Sequence, residues 1–529
     1  MLRFCPVAGN PPPPVARNYL YKPTDTLLWF SGADGWTLDD AYMGAFIFGG
    51  TGSGKSSGSG RALAHAFLRA GFGGLVLCAK PGEAELWTRY ARKTGRESSL
   101  IILGGKGERR FNFLEYELSR IDGGGSSTPF ALEALLKVYE AMQAADGVKA
   151  DESFWRNSVR LLLSHSIDAL YAAHGRLRFP ELMDFIHSAA RDETEFNSPE
   201  WRQGSFHFRT LERAAKNPAR PADSNDMAAV LRYFRGQAFA GLDAKTKTNI
   251  IATLEAMVMD FQKGELARIF CTDTTTVPEM SHYGAVIVLD FPLKIWQRGG
   301  MLAQHIFKYA WQRATERRQV DANTRPCFLW ADEYQLFASS YDAEFQSTAR
   351  SSRACTVYMT QSVPALRDAV RSTLPHETIN ALLNNFQTAI IHACRDSTTQ
   401  NWAADSIGKG LQYRQSWNHS QGTNWSQGYS SNSGSSYSHT APTGTGQGGS
   451  TGGSWSQSSG ESWGKGGSTS HGGGQQEVID YLLQPAFFGT GLRMGGWRNG
   501  YRVDGVVTQT GRIWQHNSAP WLLCSFKQR

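Results

Sequence analysis

One stretch constrains this chain more than any other: Phe46-Ile-Phe-Gly-Gly-Thr-Gly-Ser-Gly-Lys-Ser56. Gly49, four residues, then Gly54, Lys55 and Ser56 spell G-x-x-x-x-G-K-[ST], the spacing of a phosphate-binding loop. A nucleoside triphosphate presents a crowded polyanion. Glycines let backbone N–H groups close around its β-phosphate. Lys55 reaches the β- and γ-phosphates, and Ser56 offers a hydroxyl to Mg²⁺. The expected cradle is Gly49, Gly50, Thr51, Gly52, Ser53, Gly54, Lys55, Ser56 and Ser57, with Lys55 on an exposed loop. Ala45 to Phe48 reads as a short buried strand. Ser57 to Leu68 reads as a helix whose positive N-terminal end faces the phosphates. In a chain with 55 glycines such a match can arise by chance; the strand–loop–helix context argues that it did not.

The rest of the chain supplies the sheet that such a loop needs. Gly74 to Ala79 and Leu100 to Leu103 are apolar runs that read as buried parallel strands. Between them Lys80-Pro-Gly-Glu83 turns the chain and Glu85 to Thr94 reads as a helix. Strand–helix alternation of this kind marks an α/β parallel sheet. It stops near Gly123. Helical periodicity then dominates residues 123–265, in Phe130 to Met142, Phe154 to Ala173, Met227 to Phe234 and Thr246 to Phe261. We read an all-helical domain inserted into the α/β domain. Alternation returns with the strand Gly284 to Phe291, a helix from Gly300 to Glu316, and the strands Cys327 to Ala331, Thr356 to Thr360 and Ala389 to His392. The expected organisation is a nucleotide-binding domain in two parts (1–122 and 266–410) around a helical insertion (123–265). A Gly/Ser-rich insertion (411–475) and a C-terminal segment (476–529) that packs back on the nucleotide-binding domain follow.

Residues 411–475 are rich in Gly, Ser, Gln, Asn and Thr, with Trp417, Trp425, Tyr429, Tyr437, Trp455 and Trp463 spaced along them. Too little apolar surface is available to order such a segment, which points to a flexible loop. Its aromatics leave a second reading open, in which they stack on nucleic-acid bases.

A phosphate loop needs a partner strand that ends in an acid. Cys327-Phe-Leu-Trp-Ala-Asp332-Glu333 supplies it. Asp332 is expected to hold Mg²⁺ and Glu333 to polarise the attacking water. Gln361, at the tip of the next strand, can hydrogen-bond the γ-phosphate or that water. No histidine cluster has metal-ligand spacing and no Ser-His-Asp set stands out, so protease, esterase and zinc-enzyme chemistry finds no support. Net charge is +7, which permits a nucleic-acid partner without demanding one. The seven cysteines form no C-x-x-C pair and are expected to be reduced. No run approaches the roughly 18 apolar residues of a spanning helix. The expected location is the cytoplasm.

Taken in order, Gly49-Gly-Thr-Gly-Ser-Gly-Lys-Ser56, Lys80-Pro-Gly-Glu83, Arg110-Phe-Asn-Phe113, Phe154-Trp155, Trp330-Ala-Asp-Glu333 and Thr360-Gln-Ser362 resemble the type IV coupling proteins. These are the TraG/TraD-like ATPases of conjugation and type IV secretion, within the FtsK–HerA group. The resemblance covers most of residues 40–410 and returns near 476–529. It implies a RecA-like P-loop domain with an all-α domain, ATP and Mg²⁺ as ligands, and a homo-hexameric ring. The ring would move DNA, single-stranded and with its relaxase, toward the components of a type IV secretion channel. It further implies a trans-acting arginine, for which Arg350 is the first candidate and Arg353 its rival. Alternatives within reach of the same site are a coupling ATPase for protein effectors, a soluble HerA/FtsK-like translocase, and an ATP-gated assembly factor. Two departures stand out. Family members usually begin with transmembrane helices, which this chain lacks, and often carry an acid where Cys78 and Ala79 stand here.

Overall fold

In the computed structural model, placement is described for residues 5–6, 8–9, 21–105, 107–119, 153–219, 224–235, 242–369, 376–423, 435–439, 451–455 and 467–529, and for the single positions 128, 132, 133, 136 and 239. They form two compact units, one of residues 1–394 with 492–529, the other of residues 395–491.

The first unit is organised by one large sheet. Its strands are β1 (Ala45–Phe48), β2 (Gly73–Leu77), β3 (Leu100–Gly104), β4 (Val286–Asp290), β5 (Cys327–Ala331), β6 (Ala354–Thr360), β7 (Thr388–Ile391), β8 (Arg502–Gln509) and β9 (Trp521–Lys527). In space they run β9-β8-β7-β1-β6-β5-β2-β4-β3, with Cys5–Pro6 pairing parallel to the outer edge of β9. From β7 to β3 every pairing is parallel. β8 joins β7 antiparallel, and β9 joins β8 in the same way. The central strands β1, β2, β5 and β6 are buried at every residue. That is why each reads as an unbroken apolar run rather than an alternating one.

Aromatic rings fix the two faces. Phe46 stacks on Phe48, and Tyr334 lies flat on Tyr358 with centroids 3.8 Å apart. On the other face Phe328 stacks between Phe67 and Trp87. Gly74 is glycine for that reason: a Cβ there would sit 2.6 Å from the Phe328 ring.

Helix α1 (Arg61–Arg69) follows β1, and α2 (Glu83–Lys93) follows β2. The sequence points to a helix from Ser57, but the first turn after the phosphate loop is wide. Gly60 N–H bonds to Lys55 O, five residues back, at 2.8 Å. The run Ser56-Ser-Gly-Ser-Gly60 has poor helix formers throughout. Between β3 and β4 the described chain is helical: α3 (Ser153–His174), α4 (Phe179–His187), α5 (Phe206–Lys216), α6 (Ser224–Arg235) and α7 (Ala244–Val258) are its main pieces. Val159, Leu162, Leu163, Ile167 and Leu170 give α3 one buried stripe at helical spacing. The helix expected over Phe130 to Met142 lies for the most part outside the described residues. α8 (Leu293–Arg317) is longer than the sequence indicates and is two helices joined at Gln297, whose backbone (φ 48°, ψ −132°) is not helical. Among the described residues no helix is long and apolar enough to cross a membrane.

The second unit differs from its expectation. Helix Ser397–Ile407 is capped by Asp396, whose carboxylate accepts from Thr399 N at 2.7 Å. Lys409–Thr423 then pairs antiparallel with Gly467–Tyr481, and Ser435–His439 with Thr451–Trp455. Where the composition points to a flexible loop, these described stretches form ladders. Ladder bonds are backbone bonds, so a two-stranded ribbon forms without an apolar core to announce it. Trp425, Tyr429 and Trp463 lie outside the described residues.

Candidate active site

Parallel strands deliver their C-terminal ends to one edge of the sheet, where ligands of such folds sit. Five neighbouring strands do so here. In spatial order, β7 ends at His392, β1 opens into residues 49–56, β6 ends at Gln361, β5 at Asp332 and Glu333, and β2 leads to Lys80.

The loop is stitched to its neighbours through its backbone. Gly49 N–H donates to Thr360 O at 3.3 Å and Gly50 N–H to Ala393 O at 3.0 Å. Gly54 takes φ +88°, and a Cβ there would meet Val503 of β8 at 2.6 Å, so both conformation and space demand glycine. Inside the cradle the Ser53 hydroxyl is buried with no hydrogen-bond partner, as a group awaiting an acceptor such as a phosphate oxygen would be. Ser57, at the end of the expected cradle, accepts from Gln528 Nε2 at 2.7 Å.

Ser56 Oγ donates to Asp332 Oδ2 at 2.6 Å. These two oxygens are of the hard type that Mg²⁺ takes. Lys55 is not on an exposed loop: it is only 6 % exposed, and its Nζ lies 3.3 Å from Glu333 Oε1. Tight packing around the glycine loop folds the ammonium inward onto the carboxylate.

Glu333 is the hub. Its backbone is left-handed (φ 53°), which turns the side chain back over the strand ends. Oε1 accepts from Lys55 and, at 2.5 Å, from Lys80 Nζ. Oε2 accepts from Gln335 Nε2 at 2.7 Å and Gln361 Nε2 at 3.1 Å. Burial by itself would raise this carboxyl, but the Lys80 hydrogen bond, the Lys55 charge and the Gln335 amide outweigh it and hold it at about 2. Gln361 also links the hub to the loop, because its Oε1 accepts from the Thr51 hydroxyl at 3.4 Å. The structure thus brings Lys55, Ser56, Asp332, Glu333 and Gln361 together.

It does not bring Arg350 to its own phosphate loop. Arg350 precedes β6 at the strand-start edge, whereas the loop lies beside the end of β6. The span of that strand separates the two by roughly 20 Å. Arg350 instead makes two hydrogen bonds to Asp39, each 3.1 Å long. Arg353 donates to the carbonyls of Ala322 and Thr324.

Sequence reasoning missed four groups. Lys80 and Gln335 complete the Glu333 hub, and Gln335 is itself oriented by Thr360 Oγ1 at 2.9 Å. Glu83 accepts from Ala79 N and Lys80 N, and burial together with the Asp332 charge pushes it up to about 7. Behind the loop, His392 Nδ1 donates to Asp504 O at 2.7 Å, which leaves Nε2 to accept from the Ser59 hydroxyl at 2.7 Å. Lys80 and Glu83 carried a signal, a charged pair around Pro-Gly at a strand end, but nothing local told where the charges point.

Residues 326–443 match the family described as "TraM recognition site of TraD and TraG". They begin at β5 and include the acid pair and Gln361. Over that segment the chain is similar to the coupling proteins TraD and TraG. Among solved structures it is similar to the bacterial conjugative coupling protein TrwBdeltaN70 in an unbound form, with a TM-score of 0.54 and 14% identity over 93% of this chain and 86% of that one. It is similar also to the plasmid coupling protein TrwB in complex with ADP and Mg²⁺ (TM-score 0.53, 14% identity, 93% and 87% covered). The same protein in complex with a non-hydrolysable ATP analogue gives a TM-score of 0.51 at 15% identity, with 93% and 86% covered. At such identities the likeness establishes the fold, which is α/β and RecA-like with helices carried between its strands. None of the curated proteins matches the chain in sequence.

Proposed function

We propose that this chain is a type IV coupling protein, an ATPase that moves DNA toward a transfer channel. The reading is carried by one observation: Lys55, Ser56, Asp332, Glu333 and Gln361 converge at the ends of β1, β5 and β6. The loop from Gly49 to Ser57 would receive the phosphates of ATP. Ser56 and Asp332 would hold Mg²⁺, which when bound neutralises charge building on the β- and γ-phosphoryl oxygens. Lys55 would leave Glu333 for those oxygens. That move removes one positive neighbour from Glu333 and makes it more basic. Glu333 then accepts the proton of the attacking water while Gln361 holds the water in line. The new P–O bond forms at the γ-phosphorus, and the bond to the β,γ-bridging oxygen breaks, leaving ADP. Arg350, distant from its own loop, would complete the site of a neighbouring subunit in a homo-hexamer.

The resemblance to coupling proteins suggests single-stranded DNA with its relaxase as cargo and secretion-channel components as docking partners that recruit the ring to the inner membrane, and the net charge of +7 is compatible with a nucleic-acid partner. ATPase rate with and without single-stranded DNA, read beside the mass in solution, tests this. The expected result is turnover that DNA stimulates and a mass that rises toward a hexamer. Absence of turnover overturns the reading. Turnover indifferent to DNA moves the cargo to protein.

A further inference from the structure

We propose that Lys80 is a positioning residue for hydrolysis: it keeps hold of Glu333 when nucleotide takes Lys55 away. The inference rests on the ATPase reading above and deepens it.

Two ammonium groups converge on one oxygen. Lys55 lies 3.3 Å from Glu333 Oε1 and Lys80 lies 2.5 Å from it. They arrive from different elements. Lys55 belongs to the phosphate loop after β1, whereas Lys80 follows β2, which pairs with β5 on the side away from the loop. A triphosphate on the loop competes with Glu333 for Lys55 alone. Without Lys80, the carboxylate would then keep only two neutral amides, those of Gln335 and Gln361, both on Oε2. Its Oε1 would have no donor. The side chain is 5 % exposed, so solvent is a poor substitute for the fixed donor that is lost.

The turn that carries Lys80 is built to hold it still. Pro81 fixes its own φ. Gly82 takes φ +85°, which a side chain would resist. Glu83 folds back and accepts from the backbone N–H groups of Ala79 and Lys80 at 2.7 and 3.2 Å. Ala79 O accepts from Leu293 N at 3.1 Å, and Gln304 brackets Cys78 with hydrogen bonds to its N–H and its carbonyl. A lysine that merely solvated a surface would need none of this, and its partner would not be a buried carboxylate. Lys80 is itself half-exposed, so it can adjust as the site fills while its backbone stays fixed.

The test compares wild type, Lys80→Ala, Lys80→Arg and Lys55→Ala. It reads kcat and KM for ATP and, separately, equilibrium affinity for a fluorescent ATP analogue. A group that orients another is expected to act on kcat: Lys80→Ala should lower it by about 10- to 100-fold and leave KM and analogue affinity within about twofold. Lys80→Arg should recover part of kcat, since it restores a cation to Oε1. In a Glu333→Gln background, Lys80→Ala should lower turnover no further. Lys80→Met, which keeps the aliphatic stem, serves should Lys80→Ala melt early. Undiminished kcat in a folded Lys80→Ala or Lys80→Met protein beside an active wild type overturns the assignment and leaves the ATPase reading standing. So does a loss of analogue affinity as large as that of Lys55→Ala, which would make Lys80 a phosphate ligand. A wild type without turnover overturns the ATPase reading, and the role of Lys80 falls with it.

Discussion

Ser56 and Asp332 are joined by a 2.6 Å hydrogen bond although 276 residues separate them in sequence. Their strands, β1 and β5, are not neighbours: β6 lies between them. The bond therefore passes over the end of β6, where Gln361 stands and reaches Thr51 on one side and Glu333 on the other. Loop, acid pair and amide thus form one hydrogen-bonded edge, and a change at any of them is felt by the others.

Lys55→Ala should cost at least about 10²-fold in ATP turnover, the scale of removing one donor to a developing oxyanion. Since Lys55 is buried against Glu333, the variant should also show a small change in melting temperature. A purified, folded Lys55→Ala protein that hydrolyses ATP at the wild-type rate would rule out the phosphate-loop assignment.

Glu333→Gln keeps shape and hydrogen-bonding capacity but loses the proposed base, so ATP should bind and persist. Asp332→Asn should in addition weaken the dependence on Mg²⁺. Nucleotide retention measured after gel filtration separates the two. If Glu333→Gln turns over normally, the base lies elsewhere.

His392 gives the protein an acid-sensitive stability. Burial, assisted by the Lys55 charge, lowers the ring from its ordinary 6.5 to about 4. The folded protein therefore binds fewer protons than the unfolded chain between those values. The stability is fully present above pH 6.5 and is lost as pH falls toward 4. His65, also buried and likewise lowered to about 4, acts in the same sense. Melting temperature followed from pH 7 to 4.5 should fall less steeply in His392→Gln than in wild type, whatever its starting level. An acid limb of unchanged slope would show that His392 contributes nothing to it.

Much of this was legible in the sequence, for a physical reason. β1, β5 and β6 are buried on both faces, so each is an uninterrupted apolar run, and each is followed at once by the polar residues it carries. Lys80 was legible only as a turn, because its partner Glu333 lies 253 residues away and no local pattern encodes an ion pair. The ribbon Lys409–Thr423 with Gly467–Tyr481 was not legible at all. Its described side chains include Leu411 and Ile479, directly paired and both exposed, so neither strand shows the alternation that burial of one face imposes. The left-handed Glu333 was equally silent, since glutamate has no preference for that conformation.

Beneath the hub, Tyr334 OH donates to Asp342 Oδ2 at 2.8 Å, and Asp342 receives Lys308 Nζ at 2.8 Å with both side chains almost wholly buried. Asp342→Ala would leave an unpaired ammonium in the core and should destabilise the protein by about 3–5 kcal/mol. Since Tyr334 directly follows Glu333, turnover should fall as well. Calorimetry and ATPase rate on one preparation check both. The double variant Lys308→Met, Asp342→Leu should melt above Asp342→Ala; if it does not, the cost lies in something other than the stranded charge.

The trans role proposed for Arg350 bears on assembly. It stands just beyond α9 (Tyr341–Thr348), whose first turn holds Asp342 of the buried network under Glu333. In its own chain it faces Asp39, at the far edge of the sheet from the phosphate loop. An arginine so placed can stabilise a transferring phosphoryl group only in another subunit, where such a group is worth about 10³–10⁵ in rate. The Asp39 pair is exposed and holds it weakly, so delivery to a neighbour has little to break. Arg350→Ala and Lys55→Ala proteins should each be inactive alone. Mixed, they form some interfaces that join an intact loop to an intact arginine, and DNA-stimulated turnover should partly return. Asp39→Ala should leave turnover near wild type, because the pair it removes is not the productive one. Full activity in Arg350→Ala alone, or no recovery on mixing subunits that demonstrably co-assemble, would exclude a trans role for this residue.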